Sequence, residues 1–154
     1  MKNKKEHFMR LAINEAKKAL LIDEVPIGAI IVKDDKVIAR GYNHRETKQD
    51  VTSHAEIEAI KKANKKLNSW RLVDCDIYIT LEPCLMCMGA LIQSRISNIY
   101  YGAKDPKGGA IESSLNALDS KNINHHPNVE GGILEKDCSE IISNYFRLKR
   151  QKKN

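Results

Sequence analysis

The hydrophobic residues of the chain follow two spacings, and these predict where helices and strands lie. Apolar residues three and four positions apart indicate amphipathic helices, whereas short β-branched apolar runs indicate strands. Helices are predicted over residues 5–21, 53–67 and 135–149, with a further helix opened by Pro83. Strands are predicted over residues 25–32, 37–42, 77–81, 98–102 and 129–134. The first two strands are expected to form a hairpin, and segments 43–53 and 103–116 to be loops.

The order of these elements predicts the fold class. From residue 53 onward helices alternate with strands, which favours crossover connections and helices on both faces of a mixed sheet. The expected architecture is therefore α/β, with three α/β/α layers around a mixed five-stranded sheet. A length of 154 residues suits one domain, and we expect residues 1–154 to form it.

Composition narrows the class of protein. Hydrophobic residues make up 42% of the chain and charged residues 30%, which is typical of a soluble globular protein. The longest apolar run, residues 25–32, is far shorter than the roughly 20 residues of a membrane span. The first residues lack the apolar core of a secretion signal, and four cysteines with one close pair suit a reducing compartment. We therefore expect a cytoplasmic protein.

The net charge of +6 is concentrated at one end of the chain. Residues 147–154 carry five positive charges and no acid. Such an end attracts a polyanion. The alternative is a solvated helix end whose cations complement the helix dipole. The metal-site residues described next favour the polyanion.

Cys84 and Cys87 lie three positions apart at the start of a predicted helix, so their sulfurs point to one side. Pro83 suits the first helical turn, and the exposed N–H groups there favour the thiolate form that binds metal. His54 would supply a third ligand. Two sulfurs and one nitrogen suit Zn²⁺, and three protein ligands leave its fourth position open for water. The predicted cofactor is one zinc ion per subunit.

Two other interpretations of the cysteine pair remain open at this stage. A closed structural zinc site needs a fourth ligand, for which Cys75, Cys138, His125 and His126 are candidates. A thiol–disulfide redox pair also places C-x-x-C at the start of a helix. Neither alternative explains Glu56, two residues after His54, which is available to move protons.

Glu56 has a structural interpretation of its own. Ser53 and Glu56 are spaced as in a capping box, with serine at the N-cap and glutamate at position N3. Together with the cysteine pair, however, the pattern H-x-E…P-C-x-x-C is the known signature of zinc nucleobase deaminases. In such a site Glu56 would pass protons from water to the base and to the departing ammonia.

The predicted helix after Cys84 bears on assembly. Residues 85–92 carry no polar side chain on any face. A helix that is apolar all round is covered on more than one side. The sheet would cover one side and a second copy of the chain the other, so we expect a homodimer.

Beyond the metal pattern, the chain resembles the bacterial tRNA-specific adenosine deaminases of the TadA type, within the cytidine and deoxycytidylate deaminase superfamily. The likeness extends over nearly the whole sequence. The motifs that carry it are Val25–Ala29, Gly41–Asn43, His54–Ile57, Thr80–Cys84, Tyr101–Asp105, Asn124–His125 and Tyr145–Arg147.

The resemblance implies a cytidine-deaminase-like fold, a homodimer, and conversion of adenosine to inosine at the wobble position of a tRNA anticodon. It implies that Asn43 contacts the target base and Asp105 the nearby RNA. Substrate contacts are likewise implied for Asn124, His125 and Phe146. The chain departs from the family pattern at Val51, Ile111, Glu112 and Pro127.

Two other functions are compatible with the sequence. The same zinc chemistry serves deaminases of free guanine, cytosine or cytidine, although these have no need of a basic terminus. A zinc-containing module that binds RNA without catalysis is the alternative of another class, and Glu56 argues against it. The sequence leaves open which tRNA isoacceptors are accepted and whether other nucleic acids are substrates.

Overall fold

The computed structural model describes residues 2–153, so Met1 and the last residue of the basic terminus, Asn154, lie outside it. The helices are α1 (Lys2–Leu21), α2 (Arg45–Lys48), α3 (Ala55–Leu67), α4 (Leu85–Gln93) and α5 (Glu135–Lys153). The strands are β1 (Gly28–Lys33), β2 (Lys36–Tyr42), β3 (Cys75–Leu81), β4 (Asn98–Ala103) and β5 (Asn128–Glu130). A short 3₁₀ turn spans Ala117–Asp119.

The strands form one mixed sheet in the order β2-β1-β3-β4-β5. Strand β1 is antiparallel to both β2 and β3, whereas β3 with β4 and β4 with β5 are parallel. Parallel neighbours require crossover connections, which α4 and the long segment 104–127 provide. This architecture confirms the predicted mixed five-stranded sheet.

Helices cover both faces of the sheet, and strand β1 shows why. Ala29 and Ile31 point into a core with α3 and α4, while Ile30 and Val32 point into a second core with α1 and α5. A strand buried on both faces must be apolar at every position, which accounts for the continuous run seen in the sequence. The predicted three-layer α/β/α fold is confirmed.

Close contact between α1 and the sheet depends on a glycine. A Cβ atom at Gly28 would overlap the main chain of Ala12 and Ala16 in α1. Gly28 therefore lets the helix lie directly against the first residue of β1, and this fixes the layer spacing on that face.

Several predicted boundaries are wrong for identifiable reasons. The predicted strands leave residues 33–36 for the hairpin turn, whereas in the structure the turn consists of Asp34 and Asp35 alone. Both aspartates have positive φ, at 51° and 61°, as a two-residue hairpin turn requires. Strand β5 ends at Glu130 instead of residue 134, because Gly132, with φ of 84°, turns the chain into α5. A short helix, α2, occupies part of the predicted loop 43–53.

Candidate active site

The candidate site lies where β3 and β4 end, beside the first turns of α3 and α4. A cleft of about 850 Å³ opens there, lined by His54, Glu56 and Cys84 among others. Ligand sites in sheets with parallel strands commonly lie beyond the carboxyl ends of those strands. Its size lies within the range of pockets that bind small ligands.

Three predicted ligands converge at this cleft, where His54 and Cys84 line it and Cys87 is buried beside them. The Nδ1 atom of His54 lies 3.6 Å from the Sγ atom of Cys84 and 3.5 Å from that of Cys87. In a tetrahedral zinc site, with Zn–S of about 2.3 Å and Zn–N of about 2.05 Å, sulfur and nitrogen ligands lie about 3.6 Å apart. The donor atoms therefore already have the spacing that a zinc ion requires.

The cluster consists of three ligands. Across residues 2–153, His54, Cys84 and Cys87 form the group of histidine, cysteine or acidic side chains close enough to hold one metal ion. Cys75, Cys138, His125 and His126, the candidates for a fourth ligand, are not part of it. This arrangement suits an open catalytic site and not a closed structural one.

The cysteines are electrostatically unequal. Hydrogen bonding with Cys87 and with His54 lowers the pKa of Cys84 to about 4. The hydrogen bond with Cys84, together with burial, raises the pKa of Cys87 far above its usual range. Two neighbouring thiolates repel each other, and a bound dication would hold both in the deprotonated form.

The first turn of α4 differs from its prediction while keeping the ligand geometry. Helix α4 begins at Leu85 with Cys84 as its N-cap, so Pro83 precedes the cap and does not lie in the first turn. Cys84 and Cys87 thus occupy the N-cap and N3 positions, which lie on one side of a helix.

The capping box that the spacing of Ser53 and Glu56 allows at α3 is absent. His54 is the N-cap, with extended backbone angles and no side-chain cap, and the helix begins at Ala55. The buried Ser53 hydroxyl has no hydrogen-bond partner among the residues described. The backbone N–H of His54 bonds the main-chain oxygen of Thr52 in a turn, and the N-cap is His54, one residue later than that spacing requires.

Glu56 is consequently not held by a cap and faces the cleft. Its side chain is 4% exposed. Burial raises the pKa of Glu56 to about 6. A carboxyl group with a pKa near neutrality can both accept and release a proton at cellular pH, as general acid–base catalysis requires.

The predicted substrate contacts divide into two groups. Asn43, Asp105 and Phe146 line the cleft. Asn124 and His125 are absent from its lining, and the Nε2 atom of His125 lies 2.6 Å from the main-chain oxygen of Ile96, just before β4 begins. The structure therefore places His125 near the start of β4, away from the end of that strand where the cleft lies, and does not bring this pair to the cleft of its own chain.

Basic side chains around the cleft were not predicted individually. Arg45, Lys104, Lys107 and Arg150 come from α2, the segment after β4, and α5. Their positions are scattered along the sequence, so no local charge cluster reveals the first three. The fold gathers them at a single cleft, where their charge favours an anionic substrate.

Two buried carboxylates beside the cleft were also missed. Glu24, 1% exposed, accepts the backbone N–H groups of Glu46 and Thr47 at 3.2 and 2.6 Å. Glu82, 2% exposed, accepts several backbone N–H groups of residues 105–113. The sequence signal that could have revealed them is an acid directly beside an apolar strand. An acid so placed is expected to be buried, and a buried carboxylate needs hydrogen-bond or charged partners.

Comparisons with known proteins agree with the fold. A family model, MafB19-like deaminase, matches residues 3–150. The tRNA-specific adenosine deaminase of Agrobacterium fabrum is 48% identical over 144 residues, covering 94% of this chain and 95% of the relative.

Two solved structures show the same architecture. One, from biochemical and structural studies of A-to-I editing by tRNA:A34 deaminases, superposes with a TM-score of 0.85 at 48% identity, covering 88% of this chain and 98% of that one. The guanine deaminase of Bacillus subtilis superposes with a TM-score of 0.64 at 31% identity, covering 95% of this chain and 93% of that one.

The fold and the cluster of ligands thus define a deaminase with the cytidine-deaminase-like architecture. Within that class, the chain belongs to the family of tRNA-specific adenosine deaminases. Over residues 2–153, the helices are too short or too polar to cross a membrane.

Proposed function

We propose that this chain catalyses the zinc-dependent hydrolytic deamination of adenosine to inosine at the wobble position of a tRNA anticodon. The observation that carries the proposal is the spacing of His54 Nδ1, Cys84 Sγ and Cys87 Sγ beside the buried carboxyl of Glu56. Together these groups supply a metal site and a proton carrier in one cleft.

His54, Cys84 and Cys87 would hold the zinc ion, which when bound supplies Lewis-acid activation of water at neutral pH. Glu56 accepts a proton from the attacking water on its carboxylate and delivers it to a ring nitrogen of adenine. This transfer makes the carbon bearing the exocyclic amine more electrophilic. The deprotonated water adds to that carbon, and Glu56 then passes the proton of the added hydroxyl to the amine, so that the C–N bond breaks, ammonia leaves and the carbonyl of inosine remains.

Substrate binding is assigned to residues that line the cleft. Asn43 is 5% exposed and held in place, since its Oδ1 accepts the N–H of Arg45 at 3.1 Å and its Nδ2 donates to Val25 at 3.3 Å. An amide nitrogen has two hydrogens, so one remains for the base. Asp105 and the exposed ring of Phe146 would contact the neighbouring RNA, the latter by stacking.

The charge around the cleft supports an RNA substrate over a free base. Four cationic side chains face it, and further basic residues follow on α5. A polyanion gains from every such cation, whereas a neutral base gains little. The anticodon loop is single-stranded, so placing one base in a pocket costs little unstacking energy.

We further propose that residues 1–154 act as a single deaminase domain and that two copies form a cytoplasmic homodimer. In α4, Met88 and Leu91 are fully buried against the core, whereas Leu85 is 57% exposed. The apolar side that the core leaves uncovered is available to a second copy. A monomer in analytical ultracentrifugation at micromolar concentration would refute the homodimer.

A guanine deaminase is the second candidate, because one solved structure of that activity shares the fold at 31% identity. The zinc-loaded protein is incubated in parallel with an anticodon stem-loop, guanine and cytosine, and ammonia release is followed. The proposal predicts release with the stem-loop alone. Release with guanine or cytosine but not RNA would favour the second candidate, and RNA binding without any release would indicate a non-enzymatic module.

A further inference from the structure

Glu82 occupies an unusual position between β3 and the turn that carries the first cysteine ligand. It lies two residues before Cys84, and its side chain is 2% exposed. Its carboxylate accepts four backbone N–H groups: Oε1 that of Asp105 at 3.2 Å, and Oε2 those of Ile111, Glu112 and Ser113 at 3.0, 2.8 and 3.0 Å. The Ser113 hydroxyl also donates to Oε1.

These donors all come from one segment, residues 105–113, which has no helix or strand of its own. A further bond, from the N–H of Ala110 to the oxygen of Pro83 at 2.8 Å, joins the same segment to the same turn. The segment carries Asp105 and Lys107 into the cleft. Its conformation therefore depends on contacts with the turn that bears the metal ligands.

Within residues 2–153, the Glu82 carboxylate is closely packed and is surrounded by hydrogen-bond donors instead of cations. A Cβ atom at Gly109 would come within 2.6 Å of Oε2 of Glu82, so only glycine allows the segment to approach so closely. Among the residues described, no cationic side chain forms an ion pair with Glu82. Backbone and hydroxyl donors alone compensate its charge, as in an anion-binding nest.

We propose that Glu82 is a positioning residue, whose carboxylate fixes segment 105–113 to the metal-ligand turn and so holds Asp105 and Lys107 in place for the RNA. The inference rests on the proposed function for its kinetic part only. A glutamine cannot replace the glutamate, because its amide nitrogen would face N–H donors instead of accepting from them. Loss of a hydrogen bond to a charged group costs about 1.5–3 kcal/mol. This corresponds to a rise of roughly ten- to a hundredfold in the equilibrium constant for local opening of segment 105–113.

The test compares Glu82→Gln with the matched control Glu15→Gln. Glu15 is also buried, at 3% exposure, but pairs with Lys18 at 2.8 Å and lies outside the cleft. Hydrogen exchange is measured at the amides of residues 105 and 111–113, together with zinc content and the kcat and KM for an anticodon stem-loop.

In Glu82→Gln we expect exchange at these four amides to accelerate at least about tenfold, with the sheet amides unchanged. Zinc content stays at the wild-type level, and KM rises about tenfold or more while kcat falls less than about threefold. Glu15→Gln lowers stability and leaves these amides and KM unchanged. Unaltered exchange, an unaltered KM, or loss of zinc from folded Glu82→Gln would each overturn the inference.

Two further variants keep the test decisive if Glu82→Gln does not fold. Ser113→Ala removes one donor and keeps the carboxylate, and Gly109→Ala displaces the carboxylate by its Cβ. Both should accelerate exchange at residues 111–112, and unchanged exchange in both would refute the inference. If wild-type protein forms no inosine, the proposed function fails, whereas the exchange data still decide how the segment is held.

Discussion

The Tyr145 hydroxyl in α5 donates to the main-chain oxygen of Asp23, 3.2 Å away in the turn after α1. Lys149, one turn further along α5, donates to the Asp23 carboxylate at 3.0 Å and to the Tyr145 hydroxyl at 3.0 Å. The bond from Lys149 holds the pKa of Asp23 below its usual range. These contacts fix the basic end of α5 to the body of the domain, beside the cleft that Phe146 and Arg150 line.

Removing the Tyr145 hydroxyl should loosen this helix end. In Tyr145→Phe we expect a stability loss of about 1 kcal/mol or less and a higher KM for the stem-loop, because Phe146 and Arg150 are no longer held beside the cleft. Urea denaturation and steady-state kinetics measure the two effects. Tyr42→Phe is the control, since its hydroxyl has no hydrogen-bond partner among residues 2–153, and equal effects in both variants would count against the prediction.

Substituting Glu56 should separate proton transfer from metal binding. Glu56→Gln preserves the shape of the side chain and is expected to lose at least about a hundredfold in kcat with zinc content unchanged. Glu58→Gln is the control on the same helix, where the carboxylate pairs with Lys48 at 2.7 Å and does not line the cleft. Wild-type turnover in Glu56→Gln would refute the proton-carrier role.

Cys87 and Cys138, two of the three buried cysteines, should respond differently to truncation. Both are fully buried, but only Cys87 belongs to the ligand cluster. Cys87→Ala is expected to lose zinc and activity, whereas Cys138→Ala should keep its zinc and lose stability by creating a small cavity. Atomic absorption on both variants checks this, and a full zinc content in Cys87→Ala would rule out the ligand assignment.

The pKa of Glu82 predicts how the stability of the protein changes in acid. Burial alone would raise the pKa of Glu82, but the backbone donors, Glu112 foremost, and the Ser113 hydroxyl outweigh it and lower the pKa below its ordinary value. A lowered folded-state pKa stabilises the protein above the unfolded pKa of about 4.3, and this contribution disappears as pH falls through the folded value. The stability difference between wild type and Glu82→Gln should therefore be constant between about pH 6 and 8 and shrink below about pH 4. Urea titrations across this range measure it, and a difference that grows with acidity would have the wrong sign.

The sheet was predictable because its pattern is local. Strand β1 is a continuous apolar run, and the polar residues after it specify a hairpin whose central aspartates take positive φ. Helix α2 was not predictable in this way. The N–H groups of Glu46 and Thr47 bind the Glu24 carboxylate, more than twenty residues earlier, so part of what holds this helix lies outside the segment 43–53.

The same distinction holds at the candidate site. His54, Cys84 and Cys87 were predicted together because metal ligands must be particular residue types at particular spacings. The start of α3 was misplaced because a serine–glutamate spacing looks the same whether or not a cap forms. Glu82 carries only the weak signal of an acid directly after an apolar strand, since its partners lie some 23 to 31 residues later and donate mainly from the backbone, where residue identity does not matter.

The central claim is that an imidazole and two sulfurs hold one zinc ion whose fourth position is open. X-ray absorption at the zinc edge of purified protein measures this directly. The account predicts two sulfur ligands at about 2.3 Å and two lighter ligands at about 2.0–2.1 Å, one from His54 and one from solvent. Three or more sulfur ligands, or a protein that binds no zinc while still deaminating RNA, would contradict it.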